Sequence, residues 1–121
     1  MLQLFTYKIG TARHLMGDAV TIIDCTVATG EQHLAPDWDM VRGIHQKTLS
    51  EEVYTRQYLA LLNFRYMATP ELFDHYFTLP KIAFGCYCQT GQFCHRHLLV
   101  NWLKDQAEEN GCEVRIEGEV T

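Results

Sequence analysis

The sequence predicts a small α/β protein: a Rossmann-like sandwich with a mostly parallel sheet of about four strands and flanking helices. Three observations carry this expectation. Residues 19–25 (Ala-Val-Thr-Ile-Ile-Asp-Cys) are a β-branched apolar run of the kind found in parallel strands covered on both faces. A second apolar run, ending in Cys86 and Cys88, passes through a short polar turn into a segment of helical periodicity. Residues 112–117 then alternate apolar and charged side chains, as an edge or last strand does. Strand, helices, strand, helix, strand is the order of parallel crossover units. At 121 residues the chain fits one domain, 1–121.

Taken in order, Leu2, Leu4 and Phe5 suggest a short first strand stopped by Gly10, and residues 11–17 a helical turn or loop. The run over 19–25 ends in Asp24, Cys25 and Thr26, polar groups at the carboxyl end of a strand, where open α/β sheets place ligands. Residues 27–36 have loop composition. Asp37 is placed to cap a short helix carrying Met40, Val41 and Ile44. Thr48 with Glu51 fits a capping box, with Ser50 as a competing cap, for a helix presenting Tyr54, Tyr58, Leu61 and Leu62 as far as about Ala68. Thr69-Pro70-Glu71 starts another helix with Leu72, Phe73, Tyr76 and Phe77 on its buried side, ended by Pro80. The next strand covers roughly residues 81–88. A helix begins near Cys94, with Leu98, Leu99, Trp102, Leu103 and Ala107 as its stripe and Asn110-Gly111 as a left-handed cap.

Composition narrows the function classes. A net charge of -5 argues against a general nucleic-acid or membrane-surface binder. No apolar stretch approaches the roughly 20 residues that span a bilayer. The N-terminal residues lack a basic region followed by a long apolar run. Five cysteines at uneven spacing do not make a disulfide frame, so the expectation is a cytoplasmic protein with reduced thiols.

The chemistry concentrates at one turn. Three of the five cysteines and two of the six histidines fall between Cys86 and His97. On a continuous strand Cys86 and Cys88 share a face, about 6.6 Å apart along the backbone. Cys94, His95 and Arg96 open a helix, whose unpaired N–H groups and dipole favour an anion, and Arg96 adds a planar donor fork. A thiol there, beside His and Arg, has a lowered pKa, which makes Cys94 a candidate nucleophile. Asp24, from the neighbouring strand, is placed to orient a histidine, accept a sugar hydroxyl or act as a base; the bland alternative is that it caps its own loop. The expected site is therefore Cys94, His95 and Asp24 as catalytic groups, with Arg96, Cys88 and Thr26 binding the ligand. Cys86, Cys25 and His97 are second choices. His14, His33, His45 and His75 read as surface residues. The ligand expected is a small anion, phosphorylated or nucleotide-like. The alternative is a zinc or iron site using Cys86, Cys88, Cys94 and His97, although the spacing lacks a Cys-x2-4-Cys knuckle. A non-enzymatic protein acting through a homodimer or a host partner is the third possibility.

An apolar strand with Cys86-Tyr87-Cys88, a short turn and Cys94-His95-Arg96 heading a Leu98-Leu99 helix resembles the family catalogued as domain of unknown function 488. Its hallmark is a strand ending Cys-x-Glu followed by Cys-His-Arg at a helix start. An upstream Val-Asp-Val-Arg strand end in that family is similar to Ile23-Asp24-Cys25-Thr26 here. The order of pieces agrees from about Leu4 to Ile116. The resemblance implies a Rossmann-like fold and a shared site, but no substrate. Cys88 stands where the family has glutamate and Thr26 where it has arginine, which suggests a divergent branch, with a phage or mobile-element origin expected by analogy.

Overall fold

The computed structural model describes residues 1–11, 17 and 19–121. His14 and most of the turn expected over 11–17 lie outside the described residues. Among those described, four strands form one sheet: β1 (Leu2–Lys8), β2 (Val20–Asp24), β3 (Lys81–Cys86) and β4 (Val114–Val120). The order is β2-β3-β1-β4 and every pair is parallel. The helices are α1 (Trp38–His45), α2 (Glu51–Ala68), α3 (Glu71–Asp74) and α4 (His95–Glu109), with a 3-10 turn at His75–Thr78. No described helix is long and apolar enough to cross a membrane.

Register sorts the strand side chains. Leu2, Leu4, Ile82, Phe84 and Ile23 share the face that joins the core, together with Tyr54, Tyr58 and Leu62 of α2 and Leu99, Leu103 and Ala107 of α4. The spacing of Tyr54, Tyr58 and Leu62, four residues apart, keeps them on one side of α2 as expected. The expectation that residues 19–25 form a strand covered on both faces is corrected. β2 is an edge strand, and Val20, Thr21 and Ile22 are only half-buried. A β-branched run satisfies an edge as readily as a centre, because propensity records fit to a pleated surface rather than position in the sheet.

Boundaries shifted where local geometry decided them. Asp37 caps α1, its carboxylate accepting from Met40 N–H at 2.9 Å. Ser50 rather than Thr48 caps α2, accepting from Val53 N–H at 3.1 Å. The helix expected after Pro70 is one α turn that tightens into the 3-10 turn. Three residues per turn bring Phe73 and Tyr76 into line, and both are buried. β3 stops at Cys86, and Tyr87-Cys88 form a bend.

β4 carries a bulge. Leu4 pairs with Ile116, but Phe5 pairs with Gly118, so Glu117 is skipped. Gly118 has φ +104, a backbone state that glycine adopts without steric cost. The skipped residue inverts the alternation, so Glu119 aligns with Thr6 and falls on the same face as Leu2 and Leu4. That face is the one α4 packs against.

Candidate cysteine site

Cys86 ends β3 on the core face of the sheet. Because the strand breaks there, Cys88 curls back instead of continuing one pleat further. The Cys86 and Cys88 Sγ atoms are 3.8 Å apart. Cys94 is the N-cap of α4 in extended backbone (φ -157, ψ 146), which turns its thiol back toward the strand end. The Sγ atoms of Cys86, Cys88 and Cys94 all lie within 4.8 Å of one another. Among the described residues this is the group of ligand atoms close enough to hold a metal ion, and His97 is not part of it.

His95 occupies the next layer. It is buried, and its Nε2–H donates to the Cys25 carbonyl at 2.6 Å. Its Nδ1 lies 3.8 Å from Cys94 Sγ, and the Tyr58 ring meets it edge-on. Burial opposes a charged imidazole, but the Cys25 and Cys86 thiols outweigh it and hold His95 up to about 10. The three site thiols behave as one titrating unit. Hydrogen bonds from Cys88 and Cys94 pull the Cys86 thiol far down, and the same bonds push Cys88 and Cys94 up. Ionisation within the trio is thus shared, eased for one sulfur and opposed for the others. The sequence pointed to Cys94 alone because it heads a helix; in the fold its thiol is one of three coupled groups, and the neighbouring sulfurs oppose its ionisation.

Arg96 was expected to present its donor fork to an anionic ligand. It is fully buried. Nε donates to Glu119 Oε1 at 3.0 Å and Nη2 to Oε2 at 2.6 Å, a bidentate pair. Nη1 donates to the Cys88 carbonyl at 3.2 Å and Nη2 also to that of Gln89 at 3.4 Å. The guanidinium thus ties α4 to β4 and fixes the bend that carries Cys88. Glu119 was missed in the sequence because strict alternation turns it outward. The available signal was Gly118, the residue type that permits a bulge.

Asp24 and Thr26 form a different arrangement from the one expected. Asp24 pairs with Gly85 and so faces the side of the sheet opposite Cys86. Its Oδ1 accepts from Thr26 N–H at 2.8 Å and its Oδ2 from the Thr29 hydroxyl at 2.5 Å. The carboxylate organises the loop after β2, and that loop delivers Thr26, Val27 and Ala28 to a cleft above the cysteines. Gly30 closes the loop. A Cβ there would sit 2.4 Å from the Asp24 carbonyl oxygen and 2.6 Å from Thr26 N, both backbone atoms that cannot rotate away. Gly30→Ala is expected to cost about 2 kcal/mol or more through this clash. Its effect should concentrate in the loop, seen as faster amide exchange over residues 24–31 than in the core.

The cleft has a volume of about 480 Å³. Cys86, Cys88, Cys94 and His95 line its inner end, while Trp38, Tyr54, Tyr87 and Phe93 supply aromatic walls. Tyr54 lines it as α2 crosses the strand ends. His45, exposed as expected, also lines it. His33 also has partners: its Nε2 is 2.7 Å from the Tyr76 hydroxyl, and its ring meets Phe73 edge-on. Cys25 is buried in the core, its thiol donating to the Gly85 carbonyl at 3.2 Å.

A parallel four-stranded sheet with a thiol cluster at the carboxyl ends of its strands and a cleft above defines a small α/β protein with a cysteine-centred site. The chain belongs to the DUF488 family: residues 5–107 match the family model described as "DUF488-N3a: Active DUF488-N3 subclade". No curated protein matches the chain, and no solved structure does.

Proposed function

We propose that Cys86, Cys88 and Cys94 bind a thiophilic divalent ion, zinc being the first candidate, and that the metal serves a small molecule held in the cleft. The observation that carries this reading is the spacing of the sulfurs. Zinc–sulfur bonds of about 2.3 Å in a tetrahedron separate the sulfurs by about 3.8 Å. The Cys86–Cys88 separation is already 3.8 Å, and Cys94 lies within 4.8 Å of both. No Cys-x2-4-Cys knuckle is needed, because the strand break at Cys86 and the extended cap at Cys94 perform the same convergence. Three protein ligands leave a fourth position for water or ligand, the pattern of reactive rather than purely structural zinc. His95 keeps its proton on the Cys25 carbonyl and stands behind Cys94, where it fixes the site's shape.

This reading is preferred to an anion-binding turn because Glu119 engages the Arg96 fork and no Lys or Arg lines the cleft. Without metal, the same cluster supports a second reading, a Cys86 thiolate nucleophile, favoured by the Cys88 and Cys94 sulfurs close to it, which lower its pKa.

The test is metal content and cobalt substitution on protein purified under reducing, oxygen-free conditions. Near-stoichiometric metal is expected, with sulfur-to-cobalt charge transfer and tetrahedral d–d absorption on exchange. Cys88→Ser should lose most of both. A metal-free protein that takes up no cobalt, with Cys86 alkylating rapidly near neutral pH, would replace the metal reading with the nucleophile.

A further inference from the structure

We infer that the cleft selects an uncharged, planar nitrogen heterocycle, whose ring lies against the aromatic walls and whose ring nitrogen reaches the inner end of the site. The inference rests on the metal reading for what the nitrogen meets there; the ligand class comes from the walls.

Four features of the cleft carry it. Trp38 and Tyr87 stand at the cleft although they are 51% and 56% exposed, large rings left uncovered at a site rather than packed into the core. Phe93 and Tyr54 continue the wall inward, edge to face with centroids 5.4 Å apart. Flat π faces at this density favour a flat ligand, which gains stacking as well as burial.

The Tyr54 hydroxyl is the second feature. Tyr54 is 3% exposed and lines the cleft, yet its hydroxyl has no hydrogen-bond partner among the described residues. The hydroxyl is not among the buried atoms that lack a partner, so it is open at the cleft and available to a polar ring edge that enters it.

The third feature is charge. Among the lining residues Glu51 is the acidic one, and there is no Lys or Arg. Three thiolates around a divalent ion leave one net negative charge at the inner end, beside the His95 ring. With Glu51 and that excess set against two imidazoles, His45 and His95, the cleft lining holds no surplus positive charge to draw in a phosphate or carboxylate. The fourth is size, since about 480 Å³ suits a one- or two-ring molecule and leaves little for an extended chain. A neutral ring nitrogen is also a suitable donor for the fourth position of a zinc-like ion.

Equilibrium binding to cobalt-loaded full-length protein tests this, with tryptophan fluorescence and the cobalt d–d spectrum read on the same samples and metal content measured on each. The probes are adenine, cytosine and benzimidazole as neutral rings, adenosine 5′-monophosphate as an anion, and choline as a cation. At least one neutral ring should quench Trp38, shift the cobalt bands and bind about tenfold or more tightly than the monophosphate. The quench should vanish in Trp38→Phe. Tyr54→Phe, which keeps the ring packing, should weaken the same probe about threefold to tenfold with cobalt retained. Equal or tighter binding of the monophosphate or of choline would overturn the inference, as would full cobalt loading with no response to any ring. Ring-dependent quenching in protein that holds no metal would support the ligand class and remove the metal reading instead.

Discussion

Glu119→Gln is expected to lower stability by about 3 kcal/mol or more, among the largest effects of any single change outside the central core. Arg96 is fully buried and its fork is spent on Glu119 and two loop carbonyls. Removing the carboxylate's charge leaves a guanidinium that water cannot reach and that glutamine neutralises only in part. In urea unfolding the loss appears as a lower midpoint at unchanged slope, and in thermal unfolding as a fall of about 10 °C. A loss below about 1 kcal/mol would mean that the pair behaves as a surface ion pair.

The same pair sets an acid limit. Burial raises the Glu119 pKa, but the Arg96 hydrogen bonds outweigh it and leave the carboxyl below its ordinary 4.5. A depressed folded pKa contributes stability that is complete above the unfolded value and lost as pH falls through the folded one. Wild-type stability should therefore fall below about pH 4.5 more steeply than that of Glu119→Gln, which lacks this titration. Equal acid slopes would exclude Glu119 as the group responsible. Because Arg96 also holds the Cys88 and Gln89 carbonyls, the variant should bind cobalt more weakly, which links the buried pair to the site.

Metal removal is the second large effect. If Cys86, Cys88 and Cys94 hold the ion, it binds only the folded chain, and free metal at a thousandfold over its dissociation constant adds about 4 kcal/mol. Chelation should lower the melting temperature by about 10 °C or more, and added zinc should restore it. The stripped protein should stay folded, with its far-ultraviolet circular dichroism preserved, because the core around Leu4, Phe84, Tyr58 and Leu103 is built without Cys86, Cys88 and Cys94. Cys94→Ser should melt near the stripped value and ignore zinc. A chelator-insensitive melt would contradict a bound ion, and complete unfolding on chelation would mean that the metal is structural.

The order of strands and helices was legible because each segment's periodicity is local: two for strands, near four for α2 and α4, with Asp37 and Gly111 marking ends. The site's location was equally legible. Cys86, Cys88, Cys94 and His95 stand out by type and spacing, and the chain brings all four to one cleft. Asp24 and Arg96 were legible as residues but not as roles. Asp24 sits one register position from Cys86's face, and Arg96 finds Glu119 across 23 residues of sequence.

By itself, then, the sequence determined the α/β class, the family resemblance and the turn where reactive side chains gather, since these follow from short-range pattern. Tertiary structure alone decided that the three sulfurs converge, where Arg96 spends its charge, and that the cleft walls are aromatic with no Lys or Arg among them. Those outcomes depend on the break after Cys86, the bulge at Gly118 and the crossing of α2 over the strand ends. Each is a one-residue or one-helix event that reverses a side chain's face, and no local periodicity records it.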